Sequence, residues 1–320
     1  GFRNTPSLMY ASFAPAFYFD GDGGPNGGFF RDGRAATLAD QAQDPFTTAF
    51  EMGNADNAAV VAKLKTRPYI GDFEALYGAD VLNNPDTAMQ RVGAAIAAFE
   101  TEGEQFHPFS SKFDLYRANK QGGTLSPQEQ RGLLLYMDPN KGNCNACHLI
   151  GAGNGGSQDI SSDYSFEAIG VPRNRDIPAN ADPAYYDLGL CGPLREDHRP
   201  ASPGARSAYC GLFKTPSLRN VATRGAFFHN GVYHSLEQVL RFYAGRDLHP
   251  EKFYPRKADG TVDAYDDLPP RYRANLDTLD APFDRKPGQA PALDEAEQAD
   301  IIAFLKTLTD GYRDDTAAAR

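Results

Sequence analysis

Apolar positions recur at helical spacing in three stretches of the chain. Asn84 is placed to cap a helix, and Pro85 stands at its first position. Met89, Val92, Ile96 and Phe99 then fall on one face, the pattern of a core helix. Ser126-Pro127-Gln128-Glu129 combines a capping box with an N-terminal proline. It leads into Leu133, Leu134 and Met137. Asp294 and Glu297 make a weaker capping box ahead of Ile301, Ile302, Leu305 and Leu308. Alternating strand patterns are scarce, so the predicted class is mainly α. Residues 20–34 are glycine-rich and read as a loop. They lack the ligand spacing and terminal Glu of an EF-hand. From about 150 to 215 the chain is rich in Gly, Pro, Asn and Asp, which predicts a long functional loop region. No internal repeat of fixed period is evident. The pattern breaks at Lys120-Gln121-Gly122-Gly123, which predicts two domains, 1–120 and 121–320.

The length of 320 residues fits that division, at about 150 residues per domain. With 41% hydrophobic and 23% charged residues, a sizeable core can be buried and wholesale disorder is excluded. A net charge of −10 argues against a nucleic-acid binder. No run approaches the roughly 18 apolar residues needed to cross a bilayer. The chain opens Gly1-Phe2-Arg3-Asn4-Thr5-Pro6 with no signal-peptide pattern, which reads as a processed chain or a fragment. Asp314 to Arg320 reads as a frayed tail.

The chemistry lies in Cys144-Asn145-Ala146-Cys147-His148, a C-x-x-C-H. Two thiols at this spacing add to the vinyl groups of haem, and the next histidine becomes the proximal iron ligand. A redox C-x-x-C would want a βαβ context, and a zinc site a second ligand pair at close spacing; neither is present. Thioether attachment takes place outside the bacterial cytoplasm, so the expected compartment is the periplasm. Cys191 and Cys210 flank 18 residues. In an oxidising compartment they are expected to pair, a closure worth about 3 kcal/mol in the chain-entropy account. The alternative is two buried thiols.

The second axial ligand is less ordinary. The methionines are Met9, Met52, Met89 and Met137, and none follows His148. A His/Met electron carrier is therefore disfavoured. His198, His229, His234, His249, a tyrosine or an open site remain. A tyrosinate stabilises iron in higher oxidation states, which tilts the reading towards oxidation chemistry.

Several segments resemble the bacterial di-haem cytochrome c peroxidase family, and its MauG-like branch in particular. They are Phe213-Lys214-Thr215-Pro216-Ser217-Leu218-Arg219-Asn220-Val221, Phe228-His229-Asn230-Gly231 and Ser235-Leu236-Glu237. The first half adds Arg3-Asn4-Thr5-Pro6-Ser7-Leu8, Asp32-Gly33-Arg34 and Glu51-Met52-Gly53. The resemblance runs over essentially the whole chain and implies two cytochrome c-like haem domains with long irregular loops. It makes Tyr243, 14 residues beyond His229, the distal ligand of the haem held by His148. It also implies a second haem, in the N-terminal domain where peroxide reacts, with its C-x-x-C-H expected upstream of residue 1. Glu51 then corresponds to the pocket glutamate, with Gln41 and Pro45 as MauG-like neighbours. One carboxylate over the iron can move a proton from the near to the leaving oxygen of peroxide. The resemblance further implies calcium on the Asn4 side chain and the carbonyls of Arg224 and Ala226, and a structural role for His229.

Two positions depart from the family. Arg31 stands where a tryptophan usually precedes Asp-Gly-Arg between the haems, and Gly142 replaces a second tryptophan. Relay of oxidising equivalents by those routes is in doubt, and Tyr136, Phe30 or Phe29 would have to substitute. The implied function is an exported, hydrogen-peroxide-using oxidoreductase acting on a protein substrate or redox protein partner. Alternatives are plain peroxide detoxification fed by a small cytochrome, and a one-haem electron-transfer or sensing protein.

Overall fold

The computed structural model describes residues 1–151, 159–195, 197–198 and 207–314. The helices α1 (Leu38–Thr47), α2 (Asn57–Leu64), α3 (Ile70–Tyr77) and α4 (Pro85–Glu102) occupy the first part of the chain. They are followed by α5 (Lys112–Arg117), α6 (Pro127–Met137), α7 (Leu236–Gly245) and α8 (Glu295–Lys306). Two short antiparallel ribbons complete the regular structure. One pairs β1 (Tyr18–Phe19) with β2 (Pro25–Asn26); the other pairs β3 (Phe166–Glu167) with β4 (Phe213–Lys214). The class is mainly α, with long irregular connections. No helix among the described residues is long and apolar enough to cross a membrane.

The predicted helix starts sit where their caps place them. The Asn84 side chain accepts from the backbone N–H groups of Asp86 and Thr87. Ser126 with Glu129, and Asp294 with Glu297, close reciprocal capping boxes. Each satisfies donors that the first helical turn leaves without partners.

The buried faces differ in part from the expected ones. Met89 is fully buried, but Phe99 is 60% exposed and packs edge-on against Phe106. On α6, Leu134 and Met137 are exposed while Gly132 and Tyr136 are buried. The reason is the approach of α8. A Cβ on Gly132 would lie 1.9 Å from the Asp300 carbonyl oxygen. The two helices thus meet through the missing side chain, and this contact sets which stripe of α6 faces inward. Gly93 does the same for α4, where a Cβ would stand 2.3 Å from the Ala39 carbonyl oxygen on α1.

One core gathers Val60, Val61, Val81, Leu82 and Met89 around α2 and α4. A second gathers Tyr136, Leu240, Ile301, Phe304 and Leu308 from α6, α7 and α8. Phe113 of α5 packs into this second core, edge-on to Phe304 at 5.2 Å. The glycine-rich loop is a closed turn: the Asp20 carboxylate accepts from the backbone of Asp22 and Gly24.

Buried charge ties the early segments to the later ones. Arg3 forks onto Asp187 at 2.6 and 2.7 Å and reaches Asp32 at 2.6 Å. Arg219 bonds Asp114 at 2.6 Å and Asp310 at 3.1 Å, and donates to the Tyr10 hydroxyl. Tyr10 in turn donates to Asp310. These bidentate, charge-assisted contacts hold loops where sheet ladders would otherwise do so.

Gly132→Ala is expected to destabilise the protein by about 1–3 kcal/mol or more, the usual cost of overpacking. Denaturant unfolding followed by far-UV circular dichroism measures it. An unchanged midpoint would mean that α6 and α8 do not depend on this contact.

Candidate haem centre

The C-x-x-C-H segment leaves the end of α6 through a tight turn. Gly142 donates to the Leu135 carbonyl, and Asn143 takes a left-handed conformation (φ 48°). Cys144–Ala146 then forms one short helical turn, and His148 N–H bonds back to the Cys144 carbonyl at 2.8 Å. Both cysteines are free thiols. Burial pushes each up to about 12, so they stay neutral. Such thiols are poor redox nucleophiles. No cluster of three or more metal-ligating side chains occurs among the described residues.

The His148 ring is oriented by a partner that sequence reasoning missed. Its Nδ1 lies 3.0 Å from the Pro216 carbonyl oxygen. Burial lowers its pKa against the pull of Asp163 and of the Pro216 and Ser161 backbone, so the ring is neutral, with Nδ1–H donating to Pro216. Metal-bound histidines are commonly fixed in this way. Pro216 is itself held in place. Thr215 N–H donates to the Ser165 carbonyl, and the Ser217 hydroxyl donates to the Ile160 carbonyl. Tyr136 donates its hydroxyl to the His148 carbonyl. The signal was present in Thr215-Pro216-Ser217, but the sequence does not say that the motif's carbonyl faces a histidine.

Tyr243 projects from α7, whose N-terminus is capped by Ser235 with Gln238. Its ring stacks on Phe283 with centroids 5.2 Å apart and planes at 27°. The Phe283 ring also meets the buried Arg246 guanidinium, 3.8 Å from its centroid. Among the described residues the Tyr243 hydroxyl has no hydrogen-bond partner, and burial holds its pKa well above the usual phenol value. Phe283 and Arg246 were not singled out in the sequence, because a stack between residues 40 positions apart leaves no local pattern.

Cys144, Cys147, His148 and Tyr243 all line one cavity of about 830 Å³. His198, His234 and His249 are not among its walls; His234 Nδ1 is instead 2.9 Å from the Gly225 carbonyl. The donor set fits haem c: two neutral thiols, a neutral imidazole and a phenol lacking a partner. The apolar walls fit the macrocycle, with Leu236, Leu240, Leu293, Ile301 and Leu305 among them.

The same cavity reaches Gln41, Pro45 and Glu51. Gln41 and Pro45 lie one turn apart on α1, where the proline is inside the helix. Glu51 follows in a turn, its N–H bonded to the Thr48 carbonyl, and its side chain is exposed. The three thus line the same cavity.

Asn4 meets the Ala226 carbonyl, but through its amide nitrogen at 2.9 Å, while the Arg224 guanidinium is 3.3 Å from Asn4 Oδ1. Calcium there would need the amide turned over, so that Oδ1 faced the carbonyl. Cys191 and Cys210 form a disulfide with Cα atoms 5.0 Å apart. His229 stacks flat on Phe213 at 3.6 Å.

The helical scaffold and the thiol–imidazole–phenol cavity define a c-type haem protein. The description of the di-haem cytochrome c peroxidase family matches residues 1–122. The chain is 33% identical over 317 residues to the methylamine utilization protein MauG of Paracoccus denitrificans, spanning 97% of this chain and 75% of that protein. It is 28% identical over 227 residues to the cytochrome c peroxidase Ccp of Escherichia coli, spanning 69% of this chain and 42% of that one. The fold superposes with a TM-score of 0.86 on the diheme peroxidase BthA from Burkholderia thailandensis, at 36% identity, covering 97% of this chain and 73% of that one. The chain belongs to the di-haem cytochrome c peroxidase and MauG family, and is an oxidoreductase of the peroxidase type.

A further wall residue predicts a pH effect. Asp267 is buried, its Oδ1 has no hydrogen-bond partner, and Arg173 lies 3.7 Å away. Burial pushes its carboxyl up to about 7 against the pull of Arg173. The folded protein therefore keeps a proton that the unfolded chain releases. This contribution to stability is full below the ordinary carboxylate range and is lost as pH rises through about 7. Asp267→Asn is expected to flatten that part of the stability curve in denaturant melts. An identical slope in variant and wild type would sink the assignment.

Proposed function

We propose that this protein is an exported di-haem enzyme. It reacts with hydrogen peroxide at an N-terminal haem and passes electrons through the haem at Cys144, Cys147 and His148, to or from a protein partner. The observation that carries the reading is the continuous cavity joining the thiols, His148 and Tyr243 to Gln41, Pro45 and Glu51. Haem c, when bound, supplies the one-electron redox chemistry. Cys144 and Cys147 would anchor it, and His148 Nε2 and Tyr243 Oη would be its protein donors to iron. An anionic oxygen donor lowers the potential of this site, which favours oxidation of a partner over peroxide detoxification fed by a small cytochrome. Glu51 takes the proton from the near oxygen of peroxide and returns it to the far oxygen, while Gln41 and Pro45 bound the pocket.

The two-domain division at 1–120 and 121–320 belongs to this reading, supported by the separate cores around α2–α4 and α6–α8. The second haem belongs to it too, supported by exposed Leu8, Phe50 and Met52 near Glu51 in sequence or on the same wall. The disulfide and the C-x-x-C-H both suit the periplasm. The net charge of −10 suits a basic partner surface. Calcium at Asn4, Arg224 and Ala226 is part of the proposal.

The test is made on the intact gene product. The pyridine haemochrome assay is expected to give two haems per chain; one haem would leave Glu51 without an iron and overturn the reading. Glu51→Gln is expected to slow the reaction with peroxide by about 100-fold or more, with haem content unchanged. Tyr243→Phe is expected to change the ferric optical spectrum and raise the midpoint potential. An unchanged spectrum would remove Tyr243 from the iron.

A further inference from the structure

Four polar side chains on the cavity wall offer hydrogen atoms and meet too few acceptors. Arg31, Lys214, Tyr164 and His229 all line it. Arg31 spends only Nε, on the Asn4 carbonyl at 3.2 Å. Lys214 spends one N–H, on the Gly28 carbonyl. The Tyr164 hydroxyl and His229 Nε2 are buried with no partner at all.

The four are neighbours. The Lys214 backbone N–H donates to the Arg31 carbonyl at 2.9 Å. The Lys214 ammonium is 6.0 Å from the Tyr164 ring centroid. The His229 ring lies flat against Phe213, the residue before Lys214. Two of them are tied to the C-x-x-C-H segment. Lys214 stands two residues before Pro216, which holds His148, and Tyr164 follows Asp163, whose N–H bonds the Cys147 carbonyl at 2.8 Å.

The carboxylates at hand are committed elsewhere. Asp32 takes Arg3 at 2.6 Å and Arg34 at 3.2 Å, and Asp187 takes Arg3. Among the described residues neither Arg31 nor Lys214 makes an ion pair. Burial, aided by Arg224 and Arg3, draws Arg31 down to about 10; burial, aided by Arg31, draws Lys214 down to about 7. Cations withdrawn from water without a counter-charge are costly to keep. An anion would relieve that cost and satisfy the unpartnered donors.

We propose that Arg31, Lys214, Tyr164 and His229 form a carboxylate site, occupied by a propionate of the haem held at Cys144 and Cys147. The inference rests on the haem assignment above. It gives Arg31 a function of its own. Where the family carries an oxidisable tryptophan, this chain holds a fixed positive charge that pins the haem edge and favours the reduced iron.

The test is spectroelectrochemistry and resonance Raman spectroscopy on the holoprotein, with R31Q, R31K and K214Q, after pyridine haemochrome has confirmed loading. R31Q is expected to shift the ferric-to-ferrous ratio about tenfold towards ferric at fixed potential, which is 59 mV for one electron. R31K is expected to restore most of it, K214Q to shift it the same way, and the propionate bending modes to move in R31Q. If R31Q does not fold, K214Q supplies the same readings. A potential that follows added acetate in wild type but not in R31Q would keep the carboxylate site and overturn the propionate as occupant. Loaded variants with unchanged potentials and propionate modes would overturn the site and leave the haem assignment standing. Absence of haem would overturn the assignment itself.

Discussion

The bond between His148 Nδ1 and the Pro216 carbonyl joins segments 68 residues apart. Much of the cavity follows from it. It fixes the orientation of the imidazole, with Nδ1–H donating, so that Nε2 is the nitrogen left for the proposed iron. It also fixes the path of the chain on either side of Pro216. Towards the N-terminus that path carries Lys214 and Phe213 into the β3–β4 ribbon. Towards the C-terminus it delivers Arg219 to Asp114 and Asp310. A proline carbonyl suits the task, since the residue has no backbone N–H to direct elsewhere.

A cavity of this size works against close packing, and its walls are mostly loop. The fold manages this with a rigid part and a tethered part. The rigid part is α6 against α8, brought together at Gly132, with Tyr136 and Phe304 behind the C-x-x-C-H turn. The tethered part consists of loops held by buried arginines. Arg3, Arg219 and Arg246 each form planar forks to carboxylates or carbonyls. Burying three such charges stabilises only while every partner is present, which makes the loops specific in position without a sheet to order them.

The sequence made the capped helices legible because capping is local chemistry. Asn84, Ser126 and Asp294 begin α4, α6 and α8 as expected. The helices α1 and α3 were not legible. Pro45 stands inside α1 and reads as a breaker, and Tyr69 before α3 offers no side-chain cap. The inward stripe of α6, through Gly132 and Tyr136 rather than Leu134 and Met137, was not legible, because the close approach at Gly132 is a tertiary fact. The thiols and His148 were readable as candidates from spacing, and Tyr243, Gln41, Pro45 and Glu51 as candidates from family motifs, and all line one cavity. What supports them was not legible. Pro216 behind His148 and Phe283 with Arg246 behind Tyr243 are partners across space, and no spacing rule reaches them.

The contacts of Phe283 with Tyr243 and Arg246 separate the identity of the side chain at position 243 from the architecture that aims it. Ring and guanidinium hold the direction of the side chain at position 243, and the helix cap at Ser235 holds its origin. With Tyr243 as the proposed donor, substitution at that single position is a route by which a lineage built on this frame changes its electrochemical regime.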